Sequence, residues 1–460
     1  MKIEQIKIKN FKLFKNEEFS FDSQMNVIIG NNATGKTTLL EALSYAVGTI
    51  FMGLKREESI PLRYEDKRRE IISPDNIEIQ LPFRIDIKQS LDNKNYEWYR
   101  STNKELGGAT NYKYAKEIID KAKELATKVR EGESVNLPLI AYYGTERVND
   151  KNQKKVTYQK QGSRLDGYYG ALDSRTLKGQ FLEWFKSYED SVLKFGKDKT
   201  LYNAFTNAIT NMVEDWEKIH FSWAMDDMMG QLKDGSWVSF SMMSAGYQSI
   251  IRLTADIAYR AIKLNPHLGT NAIIKTQGVV LIDEIDMHLH PKWQKRVISD
   301  LKNTFPNIQF IATTHSPFII QSLRAKELII LDGESARDNP FTKSIPDIAE
   351  EEMNLEDVQR SKKFLEMQEV ASIYFNLIKE QYRLSQKRKK IKPKKSNNDL
   401  MGFQMGFPSG SSNKDDIRSN ILLDSKIQKI KQKLDKLELE FNNDPVFVAL
   451  MKAERKTELR

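Results

Sequence analysis

The chain has no cysteine, so neither a disulfide framework nor a thiolate metal site is available to it. Histidine is nearly as scarce. His220, His267, His288, His290 and His315 are all there are among 460 residues, and none follows His315. No Asp-x-Asp pair occurs after Asp332. No run of apolar residues approaches the length of a membrane span, and the N-terminus reads as a strand rather than a signal peptide. No membrane partner is expected, and a reducing interior compartment, the cytoplasm, suits a chain without thiols, although the lack of cysteine is tolerated elsewhere too.

What is present is ordinary for a soluble globular protein, with 40% hydrophobic and 29% charged residues. The length allows one large core plus a second lobe or tail. Net charge is +9 and the pI about 9.1, which points to an anionic partner. Nucleic acid is the leading reading, and a generally basic solvated surface is the bland one. The charge is uneven: Arg383 to Lys395 contains no acid at all. Such a block repels itself and tends to be extended, on a phosphate backbone or as a solvated linker.

Gly30-Asn31-Asn32-Ala33-Thr34-Gly35-Lys36-Thr37 fits G-x-x-x-x-G-K-[ST] and follows the apolar run Asn26-Val27-Ile28-Ile29. Strand, glycine loop and helix in that order make a phosphate cradle, here for ATP and extending to Thr38. Backbone N–H groups at a helix N-terminus meet a polyanion with donors and a favourable dipole. Gly30 and Gly35 let the backbone curl close to the phosphates. Lys36 is placed to reach the β- and γ-phosphates, and the Thr37 hydroxyl to hold Mg²⁺. Downstream, Val279-Val280-Leu281-Ile282 reads as a buried strand delivering Asp283-Glu284 at its C-terminal edge, where ligands collect in α/β sheets. Asp283 is placed to bind Mg²⁺ through water, and Glu284 to orient and deprotonate the attacking water. Three more words complete the set: Met243-Ser244-Ala245-Gly246-Tyr247-Gln248 opening a helix, the Asp286 turn, and Thr313-Thr314-His315-Ser316-Pro317.

Together these words resemble the ABC-type ATPases of the RecF, SMC and OLD group. The opening Ile3–Phe14 is similar to that group's first hairpin, and so is Leu289-His290-Pro291-Lys292-Trp293-Gln294 to its segment after the acidic pair. The resemblance implies a homodimer with shared ATP sites, in which Ser244 and Gly246 reach the γ-phosphate bound by the other subunit. It also implies that His315 contacts that phosphate. Met243 stands where the group usually has Leu. Gln80 is a candidate for the glutamine loop, although Ile77–Phe83 also reads as a strand.

The expected fold is α/β, an ABC-type P-loop ATPase head with a mixed sheet flanked by helices, a helical insert and a helical C-terminal tail. Residues 1–110 form a first lobe, 111–235 a mixed, largely helical insert, 236–335 the signature and acidic pair, and 336–460 the tail. Leu81–Ile87 and Leu137–Gly144 read as strands, Tyr114–Arg130 as a charged helix and residues 177–230 as mostly helical. Phe181, Trp184, Phe185 and Tyr188 form a helical stripe best read as core. In the tail, Ile348–Asn376 and Asp424–Phe441 read as helices, the latter with Ile427, Ile430, Leu434 and Leu437 on one face. Asn397–Lys414 reads as a loop or disordered insert. About two hundred residues separate the glycine loop from the signature, which excludes a long coiled-coil arm, and the missing cysteines exclude a zinc hook.

ATPases of this group often carry a nuclease. The TOPRIM kind needs a Glu and an Asp-x-Asp pair, and the anticodon-nuclease kind needs a C-terminal His. Both are missing, so this chain is expected to cut nothing itself. Ser344-Ile345-Pro346-Asp347-Ile348, Gln359 to Phe364 and Asn443 to Leu450 resemble the tail of the Septu-type and retron-associated antiphage ATPases, the PtuA family. That resemblance implies a defence ATPase controlling a separate HNH endonuclease, in some cases with a reverse transcriptase and its RNA–DNA product. A RecF-like repair ATPase loading on DNA is the alternative, and a nucleotide-gated scaffold with negligible turnover a third reading.

Overall fold

The computed structural model describes residues 1–54, 63–73, 75–105, 111–148, 162–173, 180–333, 338–355, 362–390 and 412–440. It divides into two compact units, Met1–Leu355 and Glu356–Arg460. In chain order the strands of the first unit are β1 (Lys2–Phe11), β2 (Phe14–Ser20), β3 (Met25–Ile29), β4 (Arg69–Ser73), β5 (Asn76–Ile79), β6 (Phe83–Leu91), β7 (Lys94–Thr102), β8 (Leu139–Tyr143), β9 (Trp216–Ser222), β10 (Asp227–Leu232), β11 (Trp237–Ser239), β12 (Gly278–Ile282), β13 (Ile308–Thr313) and β14 (Leu328–Ile330).

A five-stranded parallel sheet, ordered β14-β3-β13-β12-β8, forms the centre. Strands β3, β8, β12 and β13 are buried at every residue. Parallel strands covered on both faces need such continuous apolar runs rather than alternation. A four-stranded antiparallel sheet, β2-β1-β6-β7, lies against it. Its alternation is clear in β6, where Phe83, Ile85, Ile87 and Leu91 are buried while Lys88 is exposed. The pairing of β1 with β6 shifts register between Ile3 and Gln5. The Gln309 amide of β13 fills the gap, accepting from Ile3 N–H and donating to Ile3 C=O, both at 2.7 Å.

The helix Lys36–Val47 follows β3 across the glycine loop and continues past Gly48 into Thr49–Leu54. By length and composition Lys36–Leu54 is apolar enough to cross a membrane, which corrects the expectation that no apolar run approaches that length. Most of it is buried inside the protein, so packing within the protein accounts for its hydropathy.

Helix Gln180–Phe195 turns the aromatic stripe inward against helix Thr200–Met212. Phe181, Phe185 and Tyr188 are buried, and Trp184 packs edge-on against Phe205 at 5.1 Å. The helical expectation for residues 177–230 fails beyond Met212, where β9, β10 and β11 form an antiparallel sheet. Trp216 and Ile219, buried at i and i+3, mimic a helical face in a short irregular strand. Gln80 falls between β5 and β6, so Ile77–Phe83 is not one strand.

The helix Ala245–Leu264 buries a network against β8. Asp256 accepts from Tyr143 Oη at 2.7 Å and from Arg260 Nε at 2.6 Å, and Arg260 also donates to Gly167 C=O and Tyr169 C=O. Burial opposes the Arg260 charge, and the Asp256 carboxylate beside it raises the guanidinium above its ordinary value. The short helix Ile345–Glu351 also belongs to this unit. Ser344 caps it, Ile348 and Ala349 are buried, and Lys343 pairs with Glu351 and Glu352.

In the second unit, helices Lys362–Lys390 and Ser412–Glu440 pair antiparallel, with Gln381 bonded to Asp424 and Glu366 to Lys433. Ile427 and Ile430 are half-buried and Leu434 is buried, at helical spacing. The basic run is helical from Arg383 to Lys390, where Arg, Gln and Lys all have good helix propensity. Residues 391–395, residues 397–411 of the expected loop, Gln359–Ser361 and Asn443–Leu450 lie outside the described residues, as does the Leu437 side chain.

Removing one partner of a buried ion pair strands the other. Asp256→Ala is therefore expected to destabilise the fold by about 3–5 kcal/mol. Replacing Asp256 and Arg260 together by Leu and Met should recover most of that loss. Denaturant unfolding of the two variants checks both outcomes.

Candidate active site

All five strands of the parallel sheet run the same way, so their C-terminal ends meet at one edge. Each end leads to a polar group there: the glycine loop after β3, Arg147 after β8, Asp283-Glu284 after β12, Thr314-His315 after β13 and Asp332 after β14.

The glycine loop has the curl that a phosphate cradle needs. Ala33 sits at φ +66° and Gly35 at φ +107°. A Cβ at Gly35 would lie 2.8 Å from the Phe14 ring, so glycine serves both the conformation and the packing. Asn31, Asn32 and Ala33 are exposed, Thr34 is half-buried and Thr38 is buried in the helix. The Lys36 ammonium donates to Gly30 C=O at 2.7 Å and Asn31 C=O at 2.9 Å. Burial lowers the Lys36 pKa, and the nearby charges of Asp332, Asp283 and Glu284 oppose that shift.

Thr37 Oγ1 donates to Asp283 Oδ2 at 2.9 Å, and Thr313 Oγ1 donates to Asp283 Oδ1 at 2.6 Å. Thr313 Oγ1 also accepts from Glu284 N–H at 2.7 Å. The Thr37 hydroxyl and one Asp283 oxygen thus converge on a spot beside the loop. This all-oxygen pair fits Mg²⁺, which takes one or two protein ligands and completes its shell with water and phosphate. No cluster of three or more His, Cys, Asp or Glu suited to a metal occurs among the described residues.

Glu284 adopts φ +47°, an unusual value for a non-glycine residue. Asp286 accepts from Thr314 Oγ1 at 2.6 Å, tying its turn to the loop that carries His315. His315 itself is exposed. Ser244 is exposed and starts the helix Ala245–Leu264 without a side-chain capping bond. Gly246 is packed tightly, since a Cβ there would lie 2.6 Å from His288 C=O. Gln248 turns back onto Ser241 C=O and Met243 C=O.

The Leu289–Gln294 segment joins these parts. His290 Nδ1 caps the turn by accepting from Lys292 N–H. Trp293 meets Tyr247 edge-on at 5.1 Å, and Gln294 accepts from Ser316 Oγ at 2.7 Å. Hydrogen bonds therefore join Thr37, Asp283 and Glu284 through Thr313 and link Asp286 to the loop of His315, while Lys36 bonds the glycine-loop carbonyls and feels the charges of Asp283 and Glu284. Among the described residues, no hydrogen bond or ion pair joins the exposed side chains of Ser244 and His315, or the Gln80 side chain, to that group.

Sequence reasoning missed three residues. Thr313 opens the word that carries His315 but had no role of its own, yet it bonds both Asp283 and Glu284. Asp332 Oδ2 accepts from Asn31 N–H at 2.8 Å. Arg147 bonds the backbone of both acidic residues. Its one signal was an arginine just past a buried strand, in Gly144-Thr145-Glu146-Arg147.

Similar proteins agree in kind. Over 75% of this chain and 78% of its own length, the "Retron Vc95 probable ATPase" of Vibrio cholerae serotype O1 biovar El Tor is 26% identical. The "Retron Ec83 probable ATPase" of Escherichia coli is 27% identical over 72% of this chain and 71% of its own. The "Septu protein PtuA" of Bacillus thuringiensis is 26% identical over 75% and 79%. The family described as "AAA domain, putative AbiEii toxin, Type IV TA system" matches residues 25–321, from β3 through the His315 loop. That match spans more than half of the chain, and the chain belongs to this AAA-domain family.

Proposed function

We propose that the chain binds ATP with Mg²⁺ and hydrolyses it, as the ATPase subunit of a cytoplasmic antiphage defence complex. The observation that carries this reading is the bonded set Thr37, Asp283, Thr313 and Glu284 beside the glycine loop. In this reading the loop amides and Lys36 hold the phosphate chain, and Thr37 and Asp283 hold the cation. Mg²⁺, when bound, neutralises charge on the β- and γ-oxygens. Glu284 orients the attacking water and takes its proton. His315, exposed on its loop, meets the γ-phosphate.

Ser244 is exposed at its helix start with no side-chain capping bond, free to meet a phosphate held by a neighbour, which supports a homodimer sharing its ATP sites. Similarity to retron ATPases and Septu proteins supports the defence role. The proposed partner is a separate HNH-type endonuclease, in a retron setting with a reverse transcriptase and its RNA–DNA. Cutting is assigned to that partner, because the tail lacks both an Asp-x-Asp pair and a His. The helices of the second unit are proposed to dock the partner, and the basic run to contact nucleic acid.

Lys36→Ala is expected to abolish nucleotide binding or turnover. Glu284→Gln should keep binding but slow hydrolysis by about 10²–10⁴-fold, the usual worth of a positioned base. A phosphate-release assay with a parallel binding measurement checks both, and wild-type turnover by Glu284→Gln rules out its role as base.

Mixing Lys36→Ala with Ser244→Arg protomers should restore one intact composite site per heterodimer and so recover turnover. Absence of rescue, with mixed dimers shown to form, would count against shared sites.

Deleting residues 383–395 should weaken RNA or DNA binding and flatten its salt dependence, because phosphate contacts release counterions. Partner co-purification and ATP turnover should survive. Unchanged nucleic-acid affinity across a salt series removes the basic run from the interface.

A further inference from the structure

Arg147 belongs to none of the sequence words, yet it grips the backbone on both sides of Glu284. It sits on the helical turn Thr145–Val148 that follows β8 and is only 3% exposed. Nη1 donates to Gly144 C=O at 3.0 Å and Asp283 C=O at 2.5 Å, while Nη2 donates to Glu284 C=O at 2.7 Å. Burial lowers the guanidinium pKa, opposed by the charges of Asp283, Glu284 and Asp286. An arginine nonetheless stays protonated in a protein, so a full cation is held under the acidic pair.

The backbone of Glu284 explains what that cation does. A residue at φ +47° occupies a sparsely populated region and stays there only when its surroundings over-determine it. Four backbone groups flank its Cα, and all four are bonded. Thr313 Oγ1 accepts from Glu284 N–H, and Thr313 C=O accepts from Ile285 N–H at 2.9 Å. Arg147 takes the carbonyls of Asp283 and Glu284. One guanidinium therefore fixes the peptide planes before and after Glu284, and with them the direction of its Cα–Cβ bond.

We infer that Arg147 is a positioning residue for hydrolysis: by clamping both peptide planes it aims the Glu284 carboxylate at the attacking water, without itself touching nucleotide. This rests on the proposed role of Glu284 as base. The planar fork suits the task because it reaches two carbonyls at once, which a lysine ammonium does with poorer geometry. No step of chemistry passes through Arg147. The loss on removing it falls on kcat, since the glycine loop and Lys36 that bind ATP do not contact it.

The test uses the full chain with Arg147→Met and Arg147→Lys, each alone and combined with Glu284→Gln. Turnover, affinity for ATP and thermal midpoint are measured on every variant. Misplacing a catalytic group by about 1 Å can cost roughly 100-fold, so Arg147→Met should lower kcat by about that factor. KM for ATP should stay within about twofold, the signature of an interaction made only in the transition state. Arg147→Lys should lose less. In the Glu284→Gln background Arg147→Met should cost nothing further, because the carboxylate it aims is already gone. Wild-type kcat in Arg147→Met overturns the inference, as does a loss that multiplies with that of Glu284→Gln. If Arg147→Met fails to fold, Arg147→Lys decides by the same comparison. A wild-type rate in Glu284→Gln alone instead removes the base assignment, and this inference with it.

Discussion

The register between β12 and β13 is the constraint on which the site depends. Ile282 pairs with Ala312, so Asp283, one residue on, lies beside Thr313. That adjacency lets a single hydroxyl bond the Asp283 carboxylate and the Glu284 amide. Ile282 also pairs with Tyr143, which brings the turn carrying Arg147 beneath the same two residues. A slip of one residue in either ladder would turn the neighbouring side chains to the opposite face. Both faces of β3, β8, β12 and β13 are buried, so such a slip would exchange side chains of different shape between two close-packed layers, and that mismatch opposes it. Hydrophobic burial thus sets the site geometry indirectly, through register.

A second set of contacts ties the signature helix to this edge. Gly246 sits against His288 C=O, Tyr247 against Trp293, and Gln294 against Ser316. Farther along the same helix, Asp256 bonds Tyr143, whose own C=O accepts from Asp283 N–H at 2.8 Å. The helix that offers Ser244 outward is therefore fastened near its start to the segment after the acidic pair and at its middle to β8, the neighbour of β12. This arrangement suits a proposed interface that completes a neighbour's ATP site, because Ser244 is held on a rigid element rather than a loose loop.

The second unit follows different rules. Its antiparallel helices expose Tyr382, Ile373 and Leu422 and bury little beyond Val370, Ala371 and Leu434 among the described residues. Basic side chains continue down the first helix to Lys390 in sequence, and good propensity keeps them helical despite their like charge. Such a thin helical pair offers surface rather than an enclosed pocket, in keeping with the proposed role in docking.

The sequence by itself determined the parts whose chemistry is local. Gly30–Thr37, Asp283-Glu284, Ser244-Ala245-Gly246 and Thr314-His315 are each a few adjacent residues, and the glycines and acids in them restrict what the chain can do nearby. The α/β class was legible for the same reason, since buried parallel strands read as unbroken apolar runs. The sheet of β9, β10 and β11 was not, because Trp216 and Ile219 imitate helical spacing over a short stretch. Arg147, Thr313 and Asp332 could only be decided by tertiary structure. Their partners lie 136, 30 and 301 residues away in the chain, and no local pattern in a sequence encodes a hydrogen bond across strands whose neighbours are set by the order of the sheet.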